Sequence, residues 1–97
     1  MLDSRQRKYL SAEASKGTDV VQLGKGGPSE ALTAQLEAHL AAHELVRLKF
    51  IDHQEDRREI AAGLAEATGS ELVRVIGNTA LYFRADPDPE KRRFLLP

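Results

Sequence analysis

The chain is 97 residues long, 41% hydrophobic and 30% charged, with no Cys, no Trp and one Met, which bounds it to one small domain over 1–97, too small for a doubly wound nucleotide fold or an eight-stranded barrel. No apolar run approaches the roughly 18 to 20 residues of a membrane span, residues 1–10 lack a signal peptide's apolar stretch, and the missing Cys excludes disulfides, thiol chemistry and cysteine zinc sites, so a soluble cytoplasmic chain is expected. The net charge is −1, but it is segregated: residues 1–25 hold five cations against three acids, residues 26–83 five against nine, and residues 84–97 four against three.

In chain order, Asp3 and Ser4 are capping types ahead of RQRKYLSAEAS, which reads as a short, weakly amphipathic helix stopped by Gly17. DVVQLG, residues 19–24, is β-branched and bounded by glycine, and predicts the first strand. Gly24, Lys25, Gly26 and Gly27 form a tight loop, after which Pro28 and Ser29 open a second helix. Leu32, Leu36 and Leu40 give that helix, running through Ala42, one narrow apolar stripe. LVRLKFI, residues 45–51, alternates, with Val46, Leu48 and Phe50 facing a core and Arg47 and Lys49 opposite them on an open sheet face. Residues 52–56 lead into a third helix carried by Ile60, Ala61, Leu64 and Ala67 and ended by Gly69. Residues 71–76 form a strand, Gly77 and Asn78 a two-residue turn of the kind that needs positive φ, and residues 79–84 the returning strand. The order is α-β-α-β-α-β-β, an α/β (α+β, two-layer) domain with a four-stranded mixed sheet and its helices on one face. Residues 85–97 form an extended C-terminal tail.

The loop from Gly24 to Gly27 carries the most information. Glycine lets a phosphate approach the main chain, the following helix aims its N–H groups and positive dipole end at the same place, and Lys25 adds a mobile cation. These four residues fit an anion site and a plain tight turn equally well. They are no Walker loop, because no Ser or Thr follows Lys25, so no nucleotide is expected. His39 and His43 have an i, i+4 spacing that can hold zinc, but a third ligand would have to be His53 or an acid such as Glu55, so no metal is expected. Glu55, Asp56 and Glu59 read as acids favouring a helix start rather than catalytic carboxylates. No nucleophile motif accompanies any Ser. Tyr82 and Phe83 point to opposite faces of the last strand, leaving one free to stack on a base.

RQRKYL, VVQLGKGG followed by SEAL, HELVRLKF, EDRREIA, ATGSELVRVIGNT and the closing KRRFLLP together resemble the YhbY-like members of the CRM family, the chloroplast RNA splicing and ribosome maturation domain. The resemblance runs nearly end to end. It implies a fold similar to the C-terminal domain of translation initiation factor three, and RNA binding without catalysis, cofactor, small-molecule substrate or membrane. By the same resemblance the RNA is ribosomal RNA in large-subunit precursors, contacted by the GxxG loop at Gly24, Lys25, Gly26 and Gly27, by Arg5, Arg7 and Lys8 of a basic first helix, and by the strand cations Arg47 and Lys49. The chain departs from it at Glu13, where members often have an apolar residue, at Thr18 and Asp19, where they often have Lys-Pro, and at Asn78, where they often have a cation; these weaken the positive surface. The other reading is an interaction module whose acidic middle docks on a ribosomal protein without touching RNA.

Overall fold

Asp3 starts the first helix as the sequence predicts: its carboxylate accepts the Gln6 amide at 2.8 Å, while the Gln6 side-chain oxygen accepts the Asp3 amide at 3.1 Å. This reciprocal pair satisfies two of the donors that a helix N-terminus leaves free. In the computed structural model, which describes residues 2–97, α1 runs Ser4–Ser15, β1 Asp19–Leu23, α2 Glu30–His43, β2 Leu45–Phe50, α3 Arg57–Thr68, β3 Glu71–Ile76 and β4 Thr79–Phe83. The expected order holds throughout. Residues 54–56 form a 3-10 turn before α3, and Gly69 closes α3 at φ +63. In the turn between β3 and β4 only Gly77 takes a positive φ, so Asn78 does not need the conformation expected of it. Among the described residues no helix is long and apolar enough to cross a membrane.

The four strands form one mixed sheet in the order β1-β2-β4-β3, with β1 parallel to β2 and the other two pairings antiparallel. β1 is therefore an edge. The connection from β1 to β2 passes through α2, as a parallel pair requires. On the front face, Leu32, Leu36 and Leu40 of α2 and Ala61, Leu64 and Ala65 of α3 pack against the inward residues of the sheet. Tyr82 ends in this core, with its phenol donating to the Ala61 carbonyl at 2.9 Å.

The back face corrects two expectations. The helices do not all lie on one side, because α1 packs behind the sheet, where Leu10 and Ala14 meet Leu45, Val73, Leu81 and Phe83. The physical reason is that β2 and β4 are apolar on both faces at that end, so a second layer is needed to dry them. Phe83 is consequently buried and has no face free for a base; its ring meets Phe94 edge-on at 6.2 Å. Residues 85–97 hold no strand or α-helix, only a 3-10 turn over Pro89–Lys91, and Phe94 and Leu96 join the back core. Glu44 anchors this segment. It ends α2 at φ 65 and is 3% exposed, and its carboxylate accepts the amides of Asp86 and Arg93 while its carbonyl accepts that of Arg84.

Candidate nucleic-acid interface

The GKGG loop leaves the carboxyl end of β1 and enters α2, the position where open sheets present ligand-binding backbone. The Gly27 amide closes the turn on the Gly24 carbonyl at 3.0 Å, and Ser29 caps α2 by accepting the Leu32 amide at 3.1 Å. Lys25 and Gly26 are exposed, and among the described residues their amides donate to no other backbone group. Gly27 alone in the loop has a positive φ, +65, and a Cβ there would meet the His53 ring at 3.2 Å. Gly26 needs neither the conformation nor the space. His53, which sequence reasoning offered only as a metal ligand, braces the loop instead. Its Nε2 lies 2.9 Å from the Lys25 carbonyl, and because a carbonyl only accepts, Nε2 carries the proton. The neighbouring segment also holds Asp52, Glu55 and Asp56, all exposed. Those acids oppose the cation at Lys25, so attraction of an anion by the loop rests on its backbone.

The strand cations start next to this loop. In register, Arg47 faces Val20 and Lys49 faces Gln22, so Lys49 stands two positions before Gly24 on the neighbouring strand. All four side chains lie on the back of the sheet, alternating with Val21, Val46 and Leu48 of the front core. Lys49 is exposed, but Arg47 is half-buried, its Nε out of water and without a hydrogen-bond partner among the described residues. It lines a cleft of about 290 Å³ together with Ser11, Ser15, Arg74 and Thr79. The open face expected around Arg47 is thus a cleft walled by the end of α1. Arg74 joins it through an irregularity of pairing: Leu72 faces Tyr82 and Arg74 faces Leu81, with Val73 passed over. The extra residue turns Arg74 to the side of Leu81 and Arg47. Strict alternation would have sent Arg74 to the face of Leu72, so no periodic reading of ELVRVI could reveal it.

The three cations of α1 separate. Arg5 and Lys8 are exposed with no partner among the described residues, whereas Arg7 donates through Nη1 to the carbonyls of Leu72 and Val73 at 2.7 and 2.6 Å. Arg7 satisfies the main chain at the bulge and holds α1 on the sheet. Lys16 is bound to Glu13 at 2.6 Å, and that hydrogen bond raises its ammonium above the usual lysine range. Glu55, Asp56 and Glu59 are exposed around the start of α3, where acids favour the helix dipole.

The sequence profile of the CRS1 / YhbY (CRM) domain matches residues 2–84. The chain is 31% identical to YqeI of Bacillus subtilis, named a probable RNA-binding protein, over the whole of both chains. It is 32% identical to PA4753 of Pseudomonas aeruginosa, named likewise, over 93% of this chain and 88% of that one. The solution structure of SAV1595 from Staphylococcus aureus superposes with a TM-score of 0.82 at 34% identity and covers both chains completely. Matched by the family profile over residues 2–84 and by a solved fold along its whole length, the chain belongs to the CRS1 / YhbY (CRM) domain family.

Proposed function

We propose that the chain binds RNA without catalysing a reaction, and that its target is ribosomal RNA in precursors of the large ribosomal subunit, whose assembly it assists. The observation that carries this reading is the run of cations, without ion-pair partners among the described residues, from the cleft of Arg47 and Arg74 through Lys49 to the glycine loop at Lys25. Relatives that match 93% or more of the chain and are named probable RNA-binding proteins support it. Cations spaced along a sheet suit a phosphate backbone, and the exposed amides of Lys25 and Gly26 add donors at one end. The exposed side chains of Val20 and Ile76 give the same face apolar area for bases or sugars. Arg5 and Lys8 extend the contact from α1, while Arg7 contributes only by seating that helix. Such a surface positions RNA and reads its shape rather than its sequence.

Crosslinking followed by RNA sequencing in the native host tests the target, alongside sedimentation of the protein through gradients. Crosslinks concentrated in large-subunit RNA and co-sedimentation with its precursors are expected. Crosslinks only to other RNAs, or a protein confined to free fractions while subunit assembly proceeds normally on its deletion, would overturn the ribosomal assignment. Crosslinks to a ribosomal protein with none to RNA would favour docking through the acidic middle.

A further inference from the structure

Beyond the RNA-facing surface, three metal-ligating side chains converge at the opposite end of β1. Asp19 is the first residue of the edge strand, and α2 lies across it, bringing His39 and His43 from its last turns over the same point. One donor atom from each residue lies within 4.8 Å of the other two. His39 Nδ1 is hydrogen-bonded to Asp19 Oδ2, and His43 Nε2 stands 3.6 Å from the same oxygen. The sequence offered His53 or Glu55 as the third ligand, but His53 is committed to the loop carbonyl and neither takes part in the cluster.

We propose that Asp19, His39 and His43 form a binding site for a divalent transition-metal ion of the zinc class. Two imidazoles and one carboxylate are the donor set that zinc and its neighbours prefer. Donors about 2.1 Å from one tetrahedral ion stand about 3.4 Å apart, close to the spacing of His43 and Asp19. The i, i+4 placement puts both rings on one side of α2, 6.3 Å between centroids and tilted by 33°. All three side chains are between a quarter and a half exposed, so an ion can reach them from water. A cavity of about 440 Å³ beside Asp19 and His43 leaves room for water at the remaining coordination positions. Binding through Nδ1 would replace the hydrogen bond between His39 and Asp19, the neutral ring then carrying its proton on Nε2. The site is separate from the cations proposed to meet RNA, so its failure and that of the RNA reading are independent.

Calorimetric titration of the untagged full chain with zinc chloride, with cobalt(II) absorption as a spectroscopic readout, tests the proposal. One ion per chain is expected, with Asp19→Asn and His43→Gln each weakening binding by tenfold or more. Glu55→Gln should leave it unchanged. Proton and nitrogen NMR of the imidazoles in the unaltered protein needs no variant: zinc should move the ring signals of His39 and His43 and leave those of His53 in place. Absence of saturable uptake at zinc concentrations of several hundred micromolar, uptake that survives both substitutions, or ring shifts confined to His53 would each overturn the site.

Discussion

The carboxylate of Glu44 accepts the amide of Arg93 at 2.5 Å, tying the end of α2 to a residue 49 positions further on, and its other oxygen accepts the amide of Asp86 at 2.6 Å. A single buried acid thus holds both ends of the segment that carries the 3-10 turn. Glu44 also sits at φ 65, where a side chain costs roughly 1 kcal/mol. Glu44→Ala should lose about 2 kcal/mol or more, since it keeps the strain and abandons two charge-assisted bonds. Glu44→Gly should lose about 1 kcal/mol less. Urea unfolding measures both, and trypsin should cut after Arg92 or Arg93 faster in either variant; equal stability of the two would show that the backbone at Glu44 is unstrained.

Within the glycine loop, neighbouring positions should respond differently. Gly26→Ala is expected to change stability by less than about 0.5 kcal/mol, while Gly27→Ala should cost about 1 to 3 kcal/mol from positive φ and crowding against His53. Thermal melts decide this. Lys25→Asp with Gly26→Asp should then leave the fold intact by circular dichroism and sharply reduce RNA binding; undiminished binding would make the loop a turn only and leave Arg47, Lys49 and Arg74 to carry the contact.

RNA affinity should depend steeply on salt. Three to five neutralised phosphates predict a slope of log K against log salt of roughly −2 to −5. Replacing Lys49 by Gln should flatten it by about one, as should Arg74→Gln, whereas Arg7→Gln should destabilise the fold more than it changes the slope. A flat titration of the unaltered protein would count against phosphate contact altogether.

Alkaline stability should report Tyr82. Burial pushes its phenol well above the usual range, so above pH ~10 the unfolded chain gives up this proton before the folded one does. The stabilisation is therefore complete below pH ~10 and is lost as pH rises toward the folded value, at up to about 1.4 kcal/mol per pH unit. Tyr82→Phe should cost about 1 kcal/mol at pH 7, where the bond to Ala61 is lost, and should flatten the alkaline limb. Unfolding curves at pH 8, 10 and 11 compare the two proteins; parallel declines would assign the limb to other groups.

The local signals were legible in the sequence because they act over a few residues: Asp3 and Ser29 as caps, Gly69 as a stop, and the alternation of LVRLKF. What escaped depends on distant partners. The weak stripe of Tyr9, Leu10 and Ala14 gained meaning only once Leu45, Leu81 and Phe83 lay behind the sheet. Arg74 reached Arg47 through a bulge, and Asp19 reached the two histidines through the parallel crossover. The role of Arg7 likewise required two carbonyls more than sixty residues away.

The two layers draw on different stretches of chain. All of the front core lies between Val21 and Tyr82, whereas the back core needs Leu2 and Leu10 as well as Phe94 and Leu96. Closing the longer loops is entropically slower, so the front layer can form while the back one is still incomplete. During synthesis Phe83 therefore emerges before Phe94, the aromatic ring that covers it. In the folded protein the same asymmetry should make α1 and the tail the first unit to open, which amide hydrogen exchange would show as the earliest exchange at their amides.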